Sequence, residues 1–202
     1  MISLRLLAPA DIPAVMEIMT QPHVLKGLTL EEYVPRVDEV AAALTAQEHG
    51  TRTESFGIID ASGSIIGTIS LSHQHPAHRS ATVTNLAVKQ GAGWFVAMQA
   101  VGLLVRHAFV VRNLRRLECQ VWEGNAITPA IVKRVKGATL EGVRRRALWK
   151  CGKYIDISFY GLLREEWENG LRSSSNTRDS RRLVAIRTGE PAECLAGGTA
   201  TA

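Results

Sequence analysis

The sequence predicts a single domain of mixed α/β class, followed by a polar tail. Two strand-like runs, residues 55–59 and 64–72, are separated by Asp-Ala-Ser-Gly, and a polar turn with a glycine between such runs predicts an antiparallel hairpin. A third run, residues 81–88, passes into a glycine turn and then into an apolar helical segment that extends to about residue 111. Strand runs that alternate with helical segments are typical of a sheet covered by helices.

A strand and two helices are predicted before the hairpin. Residues 2–7 alternate apolar and polar side chains briefly, as a strand does. Pro9 and Asp11 favour a helix start, because proline's missing N–H is harmless there and a carboxylate meets the positive end of the helix dipole. After a loop around residues 22–27, a threonine and a glutamate at capping-box spacing predict a second helix over residues 29–44.

The second half of the chain supplies three more strands and a helix. Residues 116–122, 138–149 and 154–163 are strand-like. Residues 125–136 are predicted to be helical in spite of Pro129, because proline is tolerated in a first turn. The strands complete a mixed sheet.

The composition changes after Trp167. Residues 172–202 are small, polar and rich in glycine and alanine without a sustained period, so they cannot bury enough apolar surface to fold alone. We therefore expect a domain over residues 1–171 and a disordered tail, in which residues 183–187 could at most add an edge strand.

Composition places the chain among cytoplasmic proteins. The net charge of +5 and pI near 9.4 suit an anionic ligand but are too diffuse to identify a nucleic-acid partner. Cys119, Cys151 and Cys194 are odd in number and widely spaced, which predicts free thiols rather than disulfides or a metal site. No signal peptide or membrane-spanning run is expected.

Three histidines, His73, His75 and His78, stand close together between two predicted strands. A proline and polar neighbours surround them, and no acidic or cysteine ligand accompanies them. We interpret this segment as an exposed turn and expect no bound metal.

The segment Gln90–Phe95 joins the third strand run to the apolar helix. Two glycines, Gly91 and Gly93, reduce side-chain bulk, so backbone N–H groups can face a ligand, and the helix's first turn favours an anion. A glycine pair is a weak signal by itself, because glycine also serves wherever a turn requires positive φ.

The order of motifs around this loop resembles the GNAT N-acetyltransferases, and within them the RimJ/RimL branch. That family's pyrophosphate loop reads Gln/Arg-x-x-Gly-x-Gly/Ala, which Gln90 and Gly93 match and Phe95 does not. The resemblance spans roughly residues 3–167, and its further matches lie downstream of the loop. They are Asn125, Thr128, Lys133, Gly137-Ala138, Glu141-Gly142 and the closing run YIDISFYGLLREEW.

The resemblance implies a GNAT-like fold, in which a central mixed, mostly antiparallel sheet is flanked by helices on both faces. It also implies acetyl-CoA as co-substrate, with the pyrophosphate on the glycine loop and the pantetheine arm paired along the strand before it. The implied cofactor-binding residues are Leu86, Ala87, Val88, Gln90, Gly91, Ala92, Gly93, Trp94, Phe95 and Asn125.

The resemblance implies less about catalysis. Asn125 matches the residue that holds the pantetheine arm, and Thr128 matches a hydroxyl that donates to the departing thiolate. The usual glutamate of the central strand is replaced by Thr82. His75 or His78 could serve as the base if the turn covered the site; alternatively, water molecules along Thr82, Thr84 and Asn85 could carry the proton.

Acetyl transfer to a primary amine is the function that the resemblance implies. The acceptor stays open between a peptide or protein N-terminus and a small-molecule amine, and the assembly between a monomer and a homodimer. The alternatives are a member that binds acyl-CoA or a protein partner without turnover and, last, a basic nucleic-acid-binding module based on residues 144–146.

Overall fold

The computed structural model describes residues 1–27, 36–45, 52–122, 128–150 and 152–175. Seven strands form one sheet in the order β1-β2-β3-β4-β5-β7-β6. The strands are β1 (Ser3–Leu6), β2 (Arg52–Ile59), β3 (Ile65–His75), β4 (Ser80–Val88), β5 (Arg116–Trp122), β6 (Thr139–Lys150) and β7 (Lys153–Leu163). The helices are α1 (Ile12–Met19), α2 (Pro22–Gly27), α3 (Val37–Thr45), α4 (Gly93–Arg106), α5 (Thr128–Val132) and α6 (Arg164–Ser175).

The sheet is antiparallel except at its centre. Strands β4 and β5 run parallel, and the chain between them crosses one face of the sheet as α4. Helix α4 packs there with α5 and Trp167 of α6, whereas Ile18 of α1 and Val24 of α2 pack on the opposite face. The predicted mixed, mostly antiparallel sheet with helices on both faces is therefore confirmed.

Two β-bulges interrupt the centre of the sheet. His73 of β3 and Asn85 of β4 have φ values of 51° and 52°, and the registers of β3 with β2 and β4 shift around these positions. A bulge bends its strand and increases the local twist. Both bulges lie close to the point where β4 separates from β5, and together they shape the opening between these strands.

The core is centred on α4 and the sheet face below it. A stretch of 19 helical residues, Gly93–Val111, is long and apolar enough by length and composition to cross a bilayer, contrary to our expectation that no segment is. Half of it is buried inside the fold, which is what a core helix requires. Among the described residues, the largest fully buried apolar side chains are Phe56, Phe109, Leu4, Ile18, Ile58, Ile69, Leu71, Leu104 and Ile131.

The expected loop at residues 22–27 is wrong, because this segment is helix α2. Pro22 stands at the first helical position, where its fixed φ is favourable, and Gly27 ends the helix. The Gln21 carbonyl accepts the first two helical bonds, from the amides of Val24 at 2.9 Å and Leu25 at 3.0 Å. Proline and glycine thus mark the two ends of a short helix here.

The next helix agrees with the sequence only in part. Helix α3 covers the second half of the predicted range 29–44 and ends one residue after it, but the capping-box residues Thr29 and Glu32 lie outside the described residues.

Two other boundaries also differ from the prediction. The segment around the three histidines is not all turn, since β3 continues through His75. The predicted helix 125–136 is regular only over α5, beyond which Val135 and Ala138 donate to carbonyls three residues back, at 3.0 and 3.1 Å. Residues 125–127 lie outside the described residues.

A buried ionic cluster joins β2 to the end of the core helix. The carboxylate of Glu54 contacts the His107 ring at 3.2 Å, Arg112 at 3.4 Å and Arg52 at 3.3 Å. Burial raises the pKa of Glu54, but the His107 hydrogen bond and the charges of the two arginines outweigh burial and hold that pKa below its ordinary value. The ionised carboxylate therefore stabilises the fold above about pH 4, and this contribution is lost as the pH falls through the lowered pKa.

Glu54→Ala is expected to lower the free energy of unfolding at pH 7 by about 1–3 kcal/mol, because it leaves the buried His107 ring without its hydrogen-bond partner and removes the carboxylate from two partly exposed arginines. Urea denaturation followed by circular dichroism measures this change. The matched control is Glu168→Ala, which removes an exposed ion pair with Arg164 on α6 and should leave the midpoint almost unchanged. Equal midpoints for wild type and Glu54→Ala would contradict a stabilising role for the cluster.

Candidate active site

A cavity of about 460 Å³ lies where β4 and β5 separate. The two strands pair only from Ser80 with Arg116 to Thr82 with Glu118, and beyond this point the cavity occupies the space between them. It is lined from both faces of the sheet. On the α1–α2 side lie Met19, His23, Val24, Gly27 and His73, and on the α4–α5 side lie Ala97, Val101, Val105, Thr128, Ile131, Val132 and Val135.

The edge of β4 that faces the cavity carries backbone polar groups outside the sheet ladder. Residues 86–88 line the cavity, and the ladder with β5 ends at Thr82. The Nε2 atom of the His23 ring donates to the Val88 carbonyl at 2.9 Å. An extended ligand with amide groups could pair along this edge as an additional strand, and the Val88 carbonyl, which has two acceptor lone pairs, could bond to it beside His23.

The glycine turn after β4 has the conformation that an anion site needs. Gly91 and Gly93 have φ values of 88° and 76°, a region that other residues rarely adopt. Added Cβ atoms would meet no neighbour within 4 Å, so backbone conformation rather than crowding favours glycine at both positions.

Two backbone amides of this loop already donate hydrogen bonds to other groups of the protein. The Gln90 amide donates to Oε1 of Gln21 at 2.8 Å, and the Ala92 amide donates to the Lys89 carbonyl at 3.0 Å. No side chain caps the helix that begins at Gly93. The amides of residues 91 and 93–95 are therefore those suited to bind an anion, whereas Gln90 contributes structurally.

Two aromatic side chains follow Gly93. Trp94 and Phe95 are 50% and 63% exposed, and neither lines the cavity. The guanidinium of Arg134 lies 4.9 Å from the centre of the Trp94 ring. The large side chain at position 95 therefore extends toward solvent and does not fill the loop.

The structure locates one of the two residues expected to act in catalysis. Thr128 begins α5 and lines the cavity. Asn125 lies outside the described residues. Tyr160 of β7 also lines the cavity and is the register partner of Cys119 on β5, so it supplies a second hydroxyl that sequence reasoning missed.

The three histidines have different positions in the fold. His75 and His78 stack on each other with their ring centres 4.1 Å apart, and neither lines the cavity. His73 does line the cavity, and it lies at the β-bulge in β3. Among the described residues, no group of three or more His, Cys, Asp or Glu side chains could hold a metal ion.

Thr82 lines the cavity at the last position where β4 pairs with β5. Its register partner on β5, Glu118, also lines the cavity. Nε of Arg116 contacts a carboxylate oxygen of Glu118 at 2.8 Å. Sequence reasoning did not identify Glu118, because only the register of β5 beside β4 brings it to Thr82.

Cys119 is the described cysteine, and it lines the cavity. Burial raises the pKa of its thiol to about 11. A thiol is a poor nucleophile until it ionises, so at neutral pH Cys119 is unsuited to carry a covalent intermediate.

Comparison with known protein families identifies this arrangement. A model described as an acetyltransferase (GNAT) domain matches residues 2–137. The chain belongs to the GNAT acetyltransferase family. This agrees with the open edge of β4 and the glycine turn, which fit a cofactor with an amide-containing arm and a pyrophosphate.

One relative is similar over most of its length. The chain is 28% identical over 172 residues to the Bacillus subtilis (strain 168) protein named "Putative ribosomal N-acetyltransferase YdaF", covering 83% of this chain and 93% of the relative.

Solved structures share the fold. Spermidine N-acetyltransferase from Vibrio cholerae in complex with CoA and spermine matches with a TM-score of 0.70 at 20% identity, covering 83% of this chain and 98% of the other. The spermidine/spermine N-acetyltransferase from Vibrio cholerae in complex with manganese ions matches with a TM-score of 0.65 at 20% identity, covering 84% and 96%.

The GNAT protein described here transfers an acetyl group from acetyl-CoA to an amine. It is an acyl-CoA-dependent N-acyltransferase, and acetyl-CoA is its co-substrate. The expected family, enzyme class and co-substrate are thereby confirmed.

Gly93→Val is expected to weaken CoA binding about tenfold or more, because a β-branched residue is strained at a φ of 76° and the loop amides must shift. Isothermal titration calorimetry measures the dissociation constant. Gly63→Val is the matched control, since Gly63 has a φ of 86° in the β2–β3 turn, far along the chain from this loop. Equal weakening by both substitutions would contradict a specific role for Gly93.

Proposed function

We propose that this protein is a cytoplasmic acetyltransferase of the RimJ/RimL type, which acetylates the N-terminal amine of a peptide or protein. The similarity to YdaF carries the proposal, because it extends over nearly the whole of that relative. The solved spermidine acetyltransferases, at 20% identity, support the fold and not the acceptor.

In this proposal the cofactor binds in the opening between β4 and β5. Its pyrophosphate binds the amides of residues 91 and 93–95, while Leu86, Ala87 and Val88 pair with the pantetheine arm. The thioester then lies between the diverging strands, near Thr82. The cavity, which reaches both faces of the sheet at this point, supports the placement: the cofactor enters from the α4–α5 side and the acceptor from the α1–α2 side.

The proposed reaction is direct transfer. The neutral amine nitrogen attacks the thioester carbonyl, a C–N bond forms, the C–S bond breaks, and CoA leaves as a thiolate that takes up a proton. Thr128 is assigned to donate a hydrogen bond to that thiolate, and Asn125 to hold the arm. The high pKa of Cys119 supports a route without an acyl-cysteine.

The acceptor class is tested with peptides. A peptide with a free N-terminal amine is expected to release CoA thiol from acetyl-CoA, and mass spectrometry should place the acetyl group on the α-amine. The matched controls are the same peptide with a blocked N-terminus and an internal lysine, and spermidine. Faster turnover of spermidine would overturn the proposed acceptor; CoA binding without turnover of any amine would favour a binding protein.

The acetyltransferase domain is proposed to comprise residues 1–171, and the tail after it is proposed to be dispensable. Helix α6 extends to Ser175, four residues beyond that boundary, and Trp167 within it packs 5.4 Å from Phe109 between ring centres.

Truncation after Ser175 is therefore expected to change the melting temperature and acetylation rate little, because it keeps the whole of α6. Truncation after Arg164 is the control that removes the Trp167–Phe109 contact, and it should lower the melting temperature by several degrees. Differential scanning fluorimetry and the thiol-release assay provide both measurements. A large loss in the first truncation would show that the tail belongs to the domain.

A further inference from the structure

The acceptor side of the cavity contains a carboxylate. Glu118 of β5 lines the cavity, and it is the only aspartate or glutamate among the described lining residues. An amine acceptor is mostly protonated at neutral pH, and attack requires the neutral amine. A group that accepts the proton at this point therefore has a defined chemical use.

The sheet register places Glu118 beside Thr82. These residues are partners across the parallel β4–β5 pair, and they form the last pair before the strands separate. On its other side Glu118 is paired with Gly161 of β7, and the Glu141 carboxylate and the Arg116 guanidinium occupy the space where a side chain at that position would stand. A carboxylate here stands next to the point where the two strands open.

An arginine orients this carboxylate. Nε of Arg116 donates to Glu118 Oε1 at 2.8 Å, while the two terminal nitrogens of the same guanidinium bind Glu141 of β6. The Glu118 side chain is 46% exposed. A carboxylate has about four acceptor sites, so a single bond to Arg116 leaves capacity for a water molecule or an amine.

His73 is the other candidate on this side. Its ring also lines the cavity, but no hydrogen bond or ion pair from the described part of the chain holds it. Orientation of a proton acceptor contributes to its efficiency. The geometry therefore favours the arginine-held carboxylate over the unrestrained imidazole.

We propose that Glu118 is the catalytic base of the acetyl transfer; this inference rests on the proposed function. Before attack, the acceptor ammonium gives one proton to Glu118, directly or through one water molecule. The neutral amine then forms the C–N bond, the C–S bond breaks, and the nitrogen's second proton neutralises the leaving thiolate. Glu118 returns its proton to solvent, which restores the carboxylate.

The test compares wild type with Glu118→Gln on the acceptor that wild type acetylates. Glu118→Gln should lower kcat by about 100-fold or more and leave the dissociation constant of CoA unchanged by calorimetry. Glu168→Gln is the control, because it removes an exposed carboxylate on α6 that does not line the cavity. It should retain kcat within about threefold.

A second arm moves the carboxylate to the neighbouring strand. Because positions 82 and 118 are register partners, Thr82→Glu combined with Glu118→Gln should recover at least about tenfold of the lost kcat. A solely structural role for Glu118 predicts no such recovery.

Three outcomes would overturn the assignment. They are an unchanged kcat in Glu118→Gln, equal losses of kcat in Glu118→Gln and Glu168→Gln, and a large loss in His73→Gln with Glu118→Gln fully active. Failure of the proposed function is distinguished because it appears in wild type, as CoA binding without acetylation of a peptide N-terminus.

Discussion

The early end of β4–β5 pairing is the constraint on which the active site depends. Parallel pairing stops at Thr82 and Glu118, and the bulge at Asn85 bends β4 just beyond them. Backbone polar groups of β4 then face a cavity instead of a strand, and buried groups of this kind require partners. In the proposed binding mode the amide-containing cofactor arm supplies such partners, so the opening in the sheet provides both the space and the unpaired hydrogen-bonding groups for it.

Helix α2 is connected to both sides of this opening. His23 near its start donates to the Val88 carbonyl, and the Lys26 carbonyl near its end accepts from Lys150 Nζ at 2.8 Å. The same Lys150 Nζ lies 4.0 Å from the centre of the Trp122 ring. The helix that bonds to the Val88 carbonyl is thus also anchored to β6, whose Lys150 contacts Trp122 of β5.

Sequence periodicity predicted most of the sheet because apolar alternation and turn residues are local signals. The strand over residues 116–122 agrees with β5 in both boundaries. Local signals failed at α2, because a proline and a glycine such as Pro22 and Gly27 occur both in loops and at the two ends of a short helix. They also failed at Glu118, whose position beside Thr82 depends on how two strands distant in sequence pair. The cofactor loop was easier to predict than the base because its glycines and the helix after it are adjacent in the chain.

The cofactor loop and the proposed base differ in how easily sequence predicts them, and this difference has a physical origin. In the proposed binding mode the glycine loop holds the cofactor through backbone amides, so its function depends on φ at Gly91 and Gly93, while the side chain of Phe95 is exposed. Proton transfer depends instead on a side chain at one place in space, and two neighbouring strands can each deliver it. Recognition through backbone amides is therefore visible as a local glycine pattern, whereas a proposed catalytic side chain can stand on either of two neighbouring strands of the same fold.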